Sequence, residues 1–170
     1  MTIDLRREGA EFRTWLEQKV SAAREAMARE QHLGSIGGIV ALYCYVQNGW
    51  VGLDFDTREE FEFDGDISAA AWADLQKKPA WQTFAETEGT DSMTFTEADG
   101  MDTSLPADGM TDEFLSSHFG GTIAGVLAVA WEDGVFSSLP LRPGCVLSVN
   151  DFHGNWGWQA KEVSGKLVAI

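Results

Sequence analysis

Lysine and arginine are missing from the whole stretch between Pro79 and Leu141, which carries eleven acids. Such a stretch repels polyanions, so unassisted binding to nucleic acid or to an anionic membrane is disfavoured. The segment Asp54 to Asp66 repeats the imbalance, with seven acids against one base, Arg58. The first thirty residues hold six acids and six bases, so the entire formal charge of −15 arises after them. A basic partner or a cation is the favoured counterpart.

Other absences narrow the field further. There are only two cysteines, Cys44 and Cys145. Each sits in an apolar run that reads as a strand, where cysteine serves as a small buried hydrophobe rather than as half of a disulfide framework. The opening Met1 to Glu8 has no apolar signal-type segment, and no run reads as membrane-spanning, so the expected location is cytoplasmic. The three histidines, His32, His118 and His153, have no metal-ligand spacing. Neither a metal nor a cofactor is expected. No nucleophile elbow, phosphate-binding loop or C-x-x-C motif is present, which weakens an enzymatic reading without excluding it. Repeats and linkers are absent too, and 170 residues suit a single domain with a proper core.

What is present centres on Ile39 to Thr57, two apolar runs around Asn48-Gly49. An Asn-Gly pair suits a two-residue turn with positive φ at both positions, which makes this a β-hairpin. That turn sets Val46 opposite Val51, Cys44 opposite Leu53 and Leu42 opposite Phe55 on one face. Tyr43 and Ala41 then fall on the other, opposite Asp54 and Asp56.

Before the hairpin, Leu5, Phe12, Leu16, Val20, Ala23 and Met27 recur at helical spacing over residues 4 to 30, with Asp4 as cap. After it, Phe61 and Phe63 alternate with acids as in an edge strand. Ser68 then caps a helix through Lys77 that buries Trp72 and Leu75, and Pro79 opens a short helix with Trp81 and Phe84. Residues 87 to 111 read as a long acidic loop. Next comes a helix from about Asp112, continuing into Thr122 to Trp131. That run is apolar all round and so is expected to be buried, with Gly120, Gly121 and Gly125 allowing close packing. Val135 to Leu141 reads as an extended link, and strands follow at Cys145 to Val149, Trp158 to Val163 and Leu167 to Ile170. The sum is an α+β domain with a mainly antiparallel sheet built on the hairpin, an N-terminal helix and a buried helix in the C-terminal half.

Two places can carry chemistry. Asp54 and Asp56 share a strand face, and if they are close and buried, one carboxyl should hold its proton unusually well. The segment Asn150 to Trp158, with His153, Asn155 and Trp156, mixes aromatic rings with hydrogen-bonding groups in the way that grips sugars or anchors an interface.

The N-terminal helix, the strand Leu42-Tyr-Cys-Tyr-Val-Gln-Asn-Gly, the acidic Thr57-Arg-Glu-Glu, the Trp72 to Trp81 region and the late Val129-Ala-Trp-Glu-Asp-Gly-Val-Phe136 together resemble small uncharacterised bacterial α+β domains, some of them associated with toxin immunity. The resemblance implies a non-enzymatic protein that neutralises a partner by covering its active site. An acidic inhibitor of a basic toxin fits the charge. On that reading the docking residues are Asp54, Asp56, Glu59, Glu60 and Glu62 by the hairpin, with Asp91, Glu97, Asp99 and Asp102 in the acidic loop. The alternatives are a small enzyme or carbohydrate-binding module using the hairpin carboxylates and the Asn150 to Trp158 loop, or a subunit that oligomerises through aromatic residues.

Overall fold

The computed structural model describes residues 2–29, 34–44, 50–58, 72–77, 92–97, 99–106, 112–154 and 156–170. Asp4 ends a short strand β1 (Thr2–Asp4) and caps helix α1 (Leu5–Arg29), its Oδ1 accepting from the backbone N–H of Arg6 at 3.0 Å and of Arg7 at 3.3 Å. That carboxylate satisfies donors which the first helical turn leaves open. The Arg6 guanidinium beside it holds the Asp4 carboxyl below its usual range. All six stripe residues expected on α1 are buried, joined by Trp15.

The rest of the described chain runs β2 (Ile36–Cys44), β3 (Trp50–Asp56), β4 (Trp72–Lys77), β5 (Ser92–Thr96), β6 (Asp102–Pro106), helix α2 (Asp112–Glu132), a 3-10 turn (Val135–Ser138), β7 (Leu141–Asp151), β8 (Gly157–Val163) and β9 (Lys166–Ala169). The fold is α+β. A six-stranded sheet has the order β4-β3-β2-β7-β8-β9, antiparallel except where β2 meets β7, and a small sheet has the order β1-β5-β6. Both helices pack on one face of the large sheet. The core lies between them, with Phe12, Leu16, Ile39, Tyr43, Leu53, Phe55, Phe119, Ile123, Leu127, Leu147 and Val149 among its members. Each such side chain contributes about 1.5–3 kcal/mol by leaving water.

Several expectations are corrected. Cys44 faces Trp50 rather than Leu53, so the hairpin pairs three residues out of the anticipated register. An odd slip turns one strand over relative to its partner. Ile39, Ala41 and Tyr43 therefore join Val51, Leu53 and Phe55 on the helix face, while Val40 and Leu42 turn to the opposite face with Asp54 and Asp56. The physical reason lies outside the hairpin. On its other side β2 must match β7, whose Cys145, Leu147 and Val149 face the helices, and the Tyr43 hydroxyl reaches α2 to donate to the Ser116 carbonyl oxygen at 2.8 Å.

Trp72 to Lys77 is a strand paired to β3, not a helix, because Asp54, Leu53 and Val51 offer it a ladder. The acidic stretch at 87 to 111 contains the β5–β6 hairpin rather than only loop. Val135 to Ser138 forms a 3-10 turn instead of an extended link. Helix α2 is the expected buried helix of the C-terminal half, with Leu115, Phe119, Ile123, Leu127 and Ala130 in the core, although against expectation its segment Phe114–Glu132 is, by length and composition, long and apolar enough to cross a membrane. The residues expected as an edge strand around Phe61 and as a helix around Trp81 lie outside those described.

Candidate functional site

The β5–β6 hairpin carries two of the expected docking acids, Asp99 and Asp102, at the surface. Thr96 and Asp102 close its last pair, the Thr96 hydroxyl donating to the Asp102 carboxylate at 2.7 Å. The turn is tied by two backbone bonds, from Glu97 N–H to the Met101 carbonyl oxygen at 2.8 Å and from Gly100 N–H to the Glu97 carbonyl oxygen at 2.9 Å. Gly100 sits at φ +86°, where a residue without Cβ meets no strain. Asp99 uses one oxygen to accept from the Met101 N–H at 2.9 Å, which is the short-range bond that makes aspartate a turn residue. Asp99 and Asp102 are exposed beside Met101, which is 67% exposed. This exposed methionine has carboxylates on both sides in sequence, and the Arg6 guanidinium lies beside Gly100 and Asp102 of the same turn.

Glu97 has a different task. Its carboxylate lies 3.0 Å from His118 Nε2, while Nδ1 of the same ring lies 2.9 Å from the Phe114 carbonyl oxygen. The imidazole is stacked against Phe114 with centroids 4.0 Å apart, and Phe95 of β5 lies 5.3 Å away. The hairpin is thereby clamped to the first turns of α2.

Beside this clamp opens a groove of about 740 Å³ between α1 and α2, lined on one wall by Leu5, Arg6, Gly9, Ala10 and Arg13 and on the other by Ser117, Gly121, Thr122, Gly125, Val126 and Val129. The helices run in the same direction. A side chain at Gly9 would meet the methyls of Thr122 and Val126 at 3.4 Å, and further along Arg13 bridges to Asp133 at 3.0 Å. Gly121 and Gly125 face open space instead of a neighbour, whereas Gly120 lies against Trp156 and the Tyr43 hydroxyl. Of the three glycines expected to allow close packing, only Gly120 does so.

On the far face of the large sheet, Asp54 and Asp56 are each 3% exposed. Asp56 is answered by Arg58, whose Nη2 lies 2.6 Å and Nε 2.8 Å from Oδ2, with the Arg58 N–H on Oδ1 at 2.8 Å. Arg142 in turn donates to the Arg58 carbonyl oxygen and lays its guanidinium over Gly37. Among the described residues neither oxygen of Asp54 has a hydrogen-bond partner. Burial first and the Asp56 charge second push its carboxyl up to about 7. The sequence-based expectation of one proton-retaining acid in this pair is met, although Tyr43 is on the other face. Burial also removes both acids from any surface that a partner would meet.

The loop candidate divides. His153 is exposed with its ring edge-on to Phe152 at 5.4 Å, and Asn155 lies outside the described residues. Trp156 is half-buried, on the helix side of the sheet over Gly120, rather than presented outward. The hairpin carboxylates and Trp156 are thus on opposite faces and share no pocket. Glu59, Glu60, Glu62 and Asp91 lie outside the described residues. Among the described residues no group of three or more His, Cys, Asp or Glu side chains is placed to hold a metal ion. Cys145 is buried and in no disulfide, and burial pushes its thiol up to about 12, which suits the structural reading.

The β5–β6 turn has one local signal in the sequence. Asp99-Gly100 is a hairpin pair flanked by short runs in which Phe95 and Leu105 alternate with polar residues. The groove has no comparable local signature. Compared with known proteins, the chain matches no family model, no curated protein and no solved structure.

Proposed function

We propose that this chain is a non-enzymatic bacterial binding protein of the toxin-immunity type, acting in the cytoplasm, that occludes a basic partner protein through an acidic surface. One observation carries the reading: the β5–β6 turn holds Asp99 and Asp102 exposed on either side of the protruding Met101. A rigid turn with a central apolar anchor and charged flanks is how interface hot spots are built, and the flanking charge speeds encounter with an opposite surface. The separation of Asp54 and Asp56 from Trp156 favours this reading over the enzyme or sugar-binding alternative, which needs them in one cleft. Asp99 and Asp102, with the undescribed Glu59, Glu60, Glu62 and Asp91, remain its docking residues. Asp54 and Asp56 do not.

The test is affinity capture on the purified chain from bacterial lysate at low and at high salt, followed by expression of the captured protein alone and together with this chain. The expected partner is basic, is released by salt, and arrests growth only when expressed alone. The double variant Asp99→Lys/Asp102→Lys should weaken its binding at least ten-fold, about 1.4 kcal/mol. Unchanged affinity in that variant removes the acidic-surface reading.

A further inference from the structure

The groove between α1 and α2 has its polar lining groups already engaged. The Ser117 hydroxyl donates to the Phe114 carbonyl oxygen at 2.7 Å and the Thr122 hydroxyl to the His118 carbonyl oxygen at 2.8 Å. Both nitrogens of His118 face acceptors, and Arg6 and Arg13 are bonded to Asp4 and to Glu17. An extended peptide laid in such a groove would find few partners for its own N–H and C=O groups, and each one left buried and unpaired is costly. A helix arrives with its backbone bonds made. The walls suit one: Gly121 and Gly125 carry no side chain and face open space, and the half-exposed Val129 follows at the same four-residue step. From His118 to Val129 the wall spans about 16 Å, or three turns.

Charge selects among helices. At one end of the groove Glu97 lines the wall beside His118, and Asp4 and Asp102 gather round Arg6; at the other, Glu17 and Asp133 share the single base Arg13. A second copy presenting this same groove would set acid against acid at both ends. A helix with Lys or Arg at its ends is matched at both.

We infer that the groove receives an amphipathic helix of the basic partner, with apolar residues at i, i+3 or i+4, and i+7 seated over Gly121, Gly125 and Val129 and with basic residues at its two ends. This rests on the immunity-type reading and identifies the element that the partner would present.

The test uses the full chain and two synthetic helical peptides of about four turns. Both carry the same leucine and alanine face, one with lysines at each end and the other with glutamates. Backbone amide NMR follows each titration. The lysine peptide should shift the amides of Gly9, Ala10, Gly121, Gly125 and Val129, and the glutamate peptide should leave them in place. The variant Gly125→Leu fills open space with a good helix former and should fold normally, while weakening the lysine peptide at least ten-fold. Shifts confined to Asp99 to Asp102, no binding of the lysine peptide, or wild-type affinity in Gly125→Leu would each overturn the helix-in-groove inference while leaving the acidic docking surface to its own capture experiment. Equal binding of the two peptides would overturn the assignment to a basic helix.

Discussion

A single carboxyl ties acidity to stability. Asp54 is buried without a partner among the described residues, and its carboxyl is raised to about 7 from an ordinary value near 4. The folded chain therefore binds this proton where the unfolded chain has released it. The contribution of this one group to stability is full below the unfolded value, falls as pH rises from about 4 to about 7, and is level above that. Asp54→Asn replaces the acid with a neutral group of the same shape. The variant should be more stable than the native chain at pH 8, by about 2–4 kcal/mol, and nearly equal to it at pH 4. Urea unfolding at three pH values reads this directly, and a variant that is less stable at pH 8 would mean that the carboxylate is satisfied in the folded state. Asp56, two residues away, shows the opposite solution, since Arg58 meets it with three donors.

At the scale of the element, α2 is a helix with two different sides. Its first turns are gripped by Glu97, Phe95 and the Tyr43 hydroxyl, and Gly120 is where the β8 side of the sheet comes closest. A Cβ at Gly120 would stand 2.2 Å from the Trp156 ring and 2.5 Å from the Tyr43 oxygen, so something must move. Gly120→Ala should cost about 1–3 kcal/mol by overpacking. One residue further, Gly121 meets nothing within 4 Å. Gly121→Ala should stabilise the helix by up to about 1 kcal/mol, since alanine has the higher helix propensity. Thermal unfolding of the two variants checks the pair, and a destabilised Gly121→Ala would place a neighbour over the groove. The β5–β6 hairpin is the second informative element, because its Asp99-Gly100 turn converts an acidic stretch into a projecting surface.

The whole molecule carries a formal charge of −15, and like charges repel one another in the compact state more than in the expanded one. Salt screens that repulsion. Raising the ionic strength from about 0.01 M to about 0.5 M should therefore raise the Tm by a few degrees, while slowing association with any basic partner. Calorimetry at the two ionic strengths measures the first effect. A Tm that falls with salt would mean that favourable ion pairs such as Arg13–Asp133 and Arg58–Asp56 outweigh the net repulsion. The basic residues of α1 fit that balance, since Arg6, Arg7 and Arg13 are all spent on acids close at hand.

The sequence by itself determined what depends on neighbours along the chain. The buried stripe of α1 from Leu5 to Met27, the Asp4 cap, the strands around Leu147 and Ala160, and the unbalanced acidity all follow from local period, turn chemistry and composition. Tertiary structure decided what depends on residues far apart. Asn48-Gly49 argued for a tight turn, yet the pairing of Tyr43 with Val51 answers to β7, more than ninety residues on. Trp72 to Lys77 is a strand because β3 offers it an edge. The apolar run of α2 looks alike on every side in sequence, and only the placement of α1 and the sheet makes Gly120 a contact and leaves Gly121 and Gly125 open. Burial of Asp54 is likewise invisible to an alternating pattern, because a strand face is polar or core according to what packs on it.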